Sequence, residues 1–309
     1  MSAPRTVADL VLPGVTRIMG IVNVTPDSFS DGGRWLDPAA AVAHGRALAA
    51  QGADLLDVGG ESTRPGSTRP SEAEELDRVV PVVEALAGDG LLVSVDTMRA
   101  AVAAAALRAG AVLVNDVSGG LADEAMPELV ASTGAPFVVM HWRGLLTDPS
   151  AEPHYDDVVA EVRAELEQRV DALATAGVSR EQIILDPGLG FSKDAGHNWT
   201  LLAGMEEILA IGLPVLLGAS RKRFLGRLPA RPGADVDPGG PPTPAPDRDA
   251  ATAATSLLAA QVGCWAVRVH DVAATRDALG VEEMRRRHAR ARTAPAAPPA
   301  RGAVGGAVR

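Results

Sequence analysis

Cysteine is almost missing from this chain: its 309 residues hold one, Cys264. A lone thiol cannot close an internal disulfide, and no Cys/His spacing has the form of a zinc site, so a reducing cytoplasm is the expected compartment. Basic charge is also short. Twenty-nine Lys and Arg stand against 39 Asp and Glu, and the net charge of −10 repels a phosphate backbone at long range, which argues against nucleic acid as a partner. Long apolar runs are absent too: charges or Gly/Pro break each one before it could span a bilayer, and Met1 to Gly14 lacks the basic start and apolar core of a leader. No membrane partner is expected. Apolar material is nonetheless plentiful, at 47% of residues, enough for one large core or two modest ones.

That material is organised. Eight short β-branched or Leu-rich runs recur, at Ile18–Asn23, Leu55–Gly59, Leu92–Asp96, Leu113–Asp116, Phe137–Met140, Ile183–Asp186, Val215–Gly218 and Ala266–Val269. Each is followed by a longer, alanine-rich stretch with helical periodicity. Most runs are continuously apolar, as parallel strands buried on both faces should be. Glycines at 52, 110, 177, 212 and 263 fall between helix and next strand, where a left-handed C-cap is wanted. Ser71 with Glu74 forms a capping box for a helix in which Pro81 predicts a bend.

At the other end of the strands, apolar residues give way to Asn23, Glu61, Asp96, Asn115, His141, Asp186, Lys222 and His270. In a β/α barrel those ends meet at one mouth, where such barrels carry chemistry. The fold class predicted is α/β, a single-domain (β/α)8 barrel over residues 18–292 behind an N-terminal extension of 1–17. An open doubly wound sheet uses the same units, but no Gly-x-Gly-x-x-Gly follows the first strand. Residues 231–247 read as a flexible Pro/Gly-rich insertion and 293–309 as a disordered tail.

The strand-end strings resemble a known family. Asn23-Val24-Thr25-Pro26-Asp27-Ser28-Phe29-Ser30-Asp31-Gly32-Gly33 is similar to the first signature of the dihydropteroate synthases, and Gly59-Gly60-Glu61-Ser62-Thr63-Arg64-Pro65-Gly66 to the second. Asp96-Thr97, Asn115 to Gly120, Asp186 to Phe191, Ser220-Arg221-Lys222 and Arg268 to Asp271 follow in the family's order. Met140 to Arg143 and Gly218 to Gly226 look most like its actinobacterial branch.

The resemblance implies condensation of a dihydropterin methyl diphosphate with 4-aminobenzoate in folate biosynthesis. A pterin edge offers donors beside acceptors, so its pocket needs carboxylates, an amide and a cation; Asp96, Asn115, Asp186 and Lys222 supply that set. By resemblance, Asp186 and Asn115 hold the aminopyrimidine edge, Asp96 reaches a ring nitrogen, Lys222 donates to the ring and Met140 lines the pocket. For the diphosphate, the family uses Asn23 to help hold Mg²⁺, the one cofactor implied. Arg268 and His270 lie two residues apart on the last strand, hence on one side, where they would clamp phosphate oxygens, with Thr63 nearby. The aniline slot falls to Arg64, Pro65, Phe191 and the N-terminus of the helix following Ser220. Arg223 replaces the small hydroxyl residue that many members carry after Lys222. The Thr25–Gly33 loop reads as a lid, with Asp31 ordering it and Phe29 covering the aniline. A homodimer is expected by resemblance alone.

A dihydropterin delocalises positive charge from its exocyclic methylene, so catalysis there is mainly electrostatic, and no nucleophile-base pair is evident or needed. Three other readings stay open: a pterin-binding methyltransferase, an aldolase with Lys222 as its Schiff-base lysine, and a pterin-binding paralogue without turnover.

Overall fold

The computed structural model describes residues 10, 14–25, 38–62, 69–144, 153–231, 233–236 and 241–293. Its strands are β1 (Arg17–Asn23), β2 (Leu55–Gly59), β3 (Val93–Asp96), β4 (Leu113–Asp116), β5 (Phe137–Met140), β6 (Ile183–Asp186), β7 (Leu216–Leu217) and β8 (Ala266–Val269). All pair in parallel, in the order β6-β5-β4-β3-β2-β1-β8-β7. A parallel bridge from Leu185 to Val215 joins the two ends of that order and closes the sheet into a ring. The helices are α1 (Pro38–Gln51), α2 (Glu72–Gly88), α3 (Ala100–Arg108), α4 (Met126–Thr133), α5 (Val158–Thr175), α6 (Ala195–Ala203), α7 (Met205–Leu209), α8 (Asp249–Val262) and α9 (Val272–Thr293). The barrel is the predicted one.

Period-two alternation explains how apolar strands fill two cores. Met19, Leu55, Leu113, Val138, Ile184, Leu216 and Ala266 face inward as one buried layer. Their neighbours Leu56, Val58, Val95, Val114, Val139, Leu185, Leu217 and Val267 belong to the larger core beneath the helices. Leu10, from the N-terminal extension, joins the inner layer, and its carbonyl accepts from Trp265 Nε1 at 3.2 Å. Leu10 thus packs at the end of the barrel opposite the mouth.

The capping box and the glycine signals also act as read. Ser71 Oγ accepts from Glu74 N while Ser71 N donates to Glu74 Oε2 at 2.7 Å, completing the capping box of α2, which continues through Pro81. The five inter-element glycines all have positive φ, between 81° and 112°.

One expectation fails. No α-helix begins after Ser220: a 3-10 turn spans Arg223–Gly226, and the next α-helix, α8, starts only at Asp249. The Pro/Gly-rich stretch between them cannot continue a helix. Part of that insertion (232 and 237–240) lies outside the described residues. Its far end is held: Thr243 N donates to Gly226 O at 2.9 Å, and Arg248 Nε to Thr243 O at 2.6 Å. The predicted tail beyond 293 also lies outside them.

Candidate active site

The alternation that turns Leu55 into the barrel turns Asp57 inward one layer higher, so the polar layer starts inside the strands. Asp57 is fully buried and its Oδ2 accepts from Arg268 Nε at 2.6 Å and from Asn115 Nδ2 at 2.9 Å. Arg268 Nη2 donates to Asp96 Oδ2 at 2.6 Å. Four strands are therefore tied together by one guanidinium and one carboxylate, just below the mouth. Asp57 Oδ1 is buried with no hydrogen-bond partner among the described residues.

Above this layer lie the groups at the open end. Asp186 Oδ1 accepts from Gly188 N at 2.7 Å, and Lys222 Nζ lies 3.9 Å from the centroid of the Phe191 ring. A Cβ at Gly190 would come within 2.7 Å of Lys222 Cδ. That position also has φ +76°, so only glycine lets the loop pack against the lysine. Met140, Met98 and Val117, with Trp142 and Phe191 against them, form an apolar wall beside the polar groups.

Burial sets the charge states. It drives the Asp96 carboxyl up to about 7, with the carboxylates of Asp57, Asp116 and Glu75 adding and Arg268 opposing. Asp186 is raised chiefly by burial, against the Gly188 N–H and Lys222. Lys222 is pushed down to about 8 by burial, against Asp186 and Asp96. For Arg268 burial works the other way, but Asp57 and Asp96 outweigh it and hold its pKa above the ordinary value. Such a set can take up a flat heterocycle with donors and acceptors along its edge, because each charge is already desolvated and held by strand ends.

Other predicted residues fall as follows. His270 Nδ1 lies 2.8 Å from Ser220 Oγ, which also accepts from His270 N at 3.1 Å. Arg268 leaves the inward side of β8 and reaches carboxylates, while His270 lies one residue past the end of that strand, against Ser220. Arg268 Nη1 has no hydrogen-bond partner among the described residues. Asn23 ends β1 on the inward side, half-buried. No group of three His, Cys, Asp or Glu able to hold a metal occurs among the described residues. One neutral amide oxygen still fits a Mg²⁺ ion whose shell comes mostly from phosphates and water.

Phe29, Asp31, Thr63, Arg64 and Pro65 lie outside the described residues. Both ends of the loop carrying the last three are pinned: Arg69 Nε pairs with Glu61 at 3.0 Å, and Arg99 pairs with buried Glu75 and donates to Pro70 O at 2.6 Å. Glu61 thus serves the loop, and His141 bonds Glu165 at 2.9 Å on the helix side, so not every polar strand end belongs to the pocket. The reading from sequence missed Asp57. Its signal was the inward series Leu55, Asp57, Gly59, hidden within an apolar run.

A closed parallel barrel with a desolvated acid, amide and cation set at the C-terminal ends of its strands is the architecture of a β/α-barrel enzyme. The sequence matches the family described as pterin binding enzyme over residues 19–270. It is 56% identical to dihydropteroate synthase of Mycobacterium leprae, over 86% of this chain and 92% of that one. Among solved structures, Xanthomonas albilineans dihydropteroate synthase with 4-aminobenzoic acid superposes with a TM-score of 0.78 at 46% identity, covering 88% and 94% of the two chains. The same organism's enzyme in complex with 7,8-dihydropteroate gives 0.75 at 42%, covering 93% and 98%. The chain belongs to the pterin-binding enzymes and, within them, to the dihydropteroate synthase family.

Proposed function

We infer that this chain condenses (7,8-dihydropterin-6-yl)methyl diphosphate with 4-aminobenzoate, giving 7,8-dihydropteroate and diphosphate. The observation that carries this reading is the convergence of Asp96, Asn115, Asp186, Lys222 and Arg268 at one barrel mouth. Asp186 and the carbonyl oxygen of Asn115 hold the aminopyrimidine edge; Asn115 presents that oxygen because its amide nitrogen is engaged by Asp57. Lys222 donates to the ring's acceptors.

In the reaction the bond from the exocyclic methylene to the diphosphate oxygen breaks first, its electron pair leaving with the diphosphate. Positive charge spreads into the pterin, where Asp96 and Asp186 stabilise it as carboxylates. Arg268 and His270 take the charge growing on the leaving group. The neutral aromatic amine then attacks, and the C–N bond forms with loss of an amine proton to solvent. Asn23 would hold Mg²⁺, which supplies charge neutralisation at the diphosphate when bound. Thr63, Arg64 and Pro65 with Phe191 bound the aniline, Ser220 orients His270, and Asp31 and Phe29 close the first loop over the site.

A homodimer belongs to the same reading. Helices α8 and α9 pack on each other and expose Leu258, Val262, Val281 and Met284, an apolar face suited to a second copy. Light scattering on the eluted protein tests it. No helix among the described residues is long and apolar enough to cross a membrane.

Purified chain given both substrates and Mg²⁺ should form dihydropteroate and diphosphate in equal amounts. Tight pterin binding without product would instead make the chain a paralogue without turnover.

A further inference from the structure

Lys193 is a buried cation that the chemistry above does not use. The residue is 8% exposed, and no carboxylate among the described residues lies in ion-pair contact with it. The three N–H bonds of the ammonium instead meet three acceptors: His141 Nδ1 at 3.0 Å, Gly188 O at 3.1 Å and Phe191 O at 3.2 Å. Burying an ammonium with no carboxylate in contact costs several kcal/mol, and burial pushes the Lys193 pKa down to about 7, against the more distant Asp186 and Glu165. A methionine would fill the same space without that cost, so the packing alone does not account for a lysine.

The loop around it does. Gly188, Gly190 and Ser192 all sit at positive φ, at +70°, +76° and +46°, which curls the segment after β6 so that two of its carbonyls face one point. Carbonyl oxygens that converge repel one another unless a cation lies between them. Lys193 is that cation, while Tyr155 Oη secures the strained Ser192 through its carbonyl at 3.0 Å. The outer side of the curl carries the pocket: Gly188 N holds Asp186, the Phe191 ring lies against Lys222 Nζ, and Gly190 packs on the Lys222 methylenes. Behind Lys193 the chain of contacts runs outward. With Lys193 as the ammonium, which can only donate, His141 Nδ1 is the bare acceptor and its Nε2–H donates to Glu165, which Arg143 also pairs with.

We propose that Lys193 is a positioning residue for the pterin half of the site: it holds the β6 loop in the shape that aims Asp186, Phe191 and Lys222, and His141, directly after β5, orients it together with Glu165 on α5. This rests on the proposed function, because the ligand whose affinity it sets is the dihydropterin.

Two independent readouts test it. In calorimetric titrations with the dihydropterin methyl diphosphate and no aniline, Lys193→Met should weaken binding at least tenfold, with kcat at saturating pterin changed less than threefold. Glu165→Gln, outside the pocket, should weaken it two- to fourfold and serves if Lys193→Met does not fold. Nitrogen-15 NMR of His141 should show a neutral ring with the proton on Nε2, and Lys193→Met should perturb the Nδ1 resonance. Pterin binding equal to wild type in both variants, or a proton on Nδ1 in the wild type, overturns the proposal. A wild-type chain that ignores the pterin refutes the proposed function instead, and the His141 tautomer then decides whether Lys193 holds the loop as inferred.

Discussion

Asp57 lies below the mouth and touches no part of the proposed substrates, yet Asp57→Asn is expected to damage turnover. In the structure one oxygen of Asp57 receives both Arg268 Nε and Asn115 Nδ2. An asparagine can keep those two contacts through its amide oxygen, but without the negative charge: the Asn115 bond becomes neutral and the Arg268 bond is no longer an ion pair. Hydrogen bonds to a charged group are worth about 1.5–3 kcal/mol and neutral ones about 1, so losing the carboxylate's charge in both contacts costs roughly 2 kcal/mol. The new NH₂ would take the place of Oδ1, which is buried with no partner to accept its protons. Removing a buried charge relieves part of this, and Asp96, whose carboxyl Asp57 helps to raise, becomes easier to ionise. The net is about 1.5–2 kcal/mol less hold on Arg268 and Asn115, which is roughly a 10–30-fold loss in kcat/KM for the pterin diphosphate. Steady-state kinetics at saturating 4-aminobenzoate measure it, with circular dichroism to show an intact barrel. A kcat/KM within twofold of wild type would refute the reasoning, because Arg268 and Asn115 would then be aimed without the carboxylate that binds them.

Lys222→Ala and Asp186→Ala should each nearly abolish turnover with unchanged circular dichroism, since both belong to the pocket; wild-type pterin binding in Asp186→Ala would place the ring elsewhere. Asp96 titrates at about 7 in the folded chain against 3.8 for the free group, so the folded state keeps a proton that the unfolded chain has released, and stability falls as pH rises from about 4 to about 7. Asp96→Asn should therefore gain on wild type as pH rises, with a melting temperature a few degrees higher relative to wild type at pH 8 than at pH 4, while losing activity; a difference that does not change between the two pH values would contradict the shift. 4-Aminobenzoate should bind weakly to the free protein and much more tightly with a pterin, pyrophosphate and Mg²⁺ present, and Asp31→Ala should remove most of that gain while sparing pterin binding. Equal affinities in the two conditions, read by calorimetry, would dispose of the lid.

The barrel was legible because parallel strands buried on both faces write themselves as continuous apolar runs, and because a glycine marks each return. Five of the eight predicted strands have the predicted bounds, and β7 was overestimated because Val215 and Gly218 flank only two ladder residues. Pocket residues at strand ends stood out against the apolar runs before them. Asp57 did not, since inside Leu55–Gly59 a single acid looks like an interruption, and only the inward register shows that it faces Arg268. The direction of the Arg268 side chain was equally hidden: spacing fixes which side of β8 it leaves from, while its partners come from β2 and β3, far away in sequence. Lys193 lay beyond the recognised string ending at Phe191, and its role depends on three left-handed residues that no pattern of residue types reveals. The helix expected after Ser220 was an inference from the barrel's repeat, overruled locally by proline and glycine.

The central claim is that the groups gathered at the mouth are a pterin pocket. The most direct test is a crystal structure with a 6-substituted pterin bound. The ring should lie against the apolar wall that carries Met140 and Val117, with Asp96, Asn115, Asp186 and Lys222 all within hydrogen-bond distance of its edge. A ring bound elsewhere, or those four side chains bonded only to one another beneath it, would contradict the account.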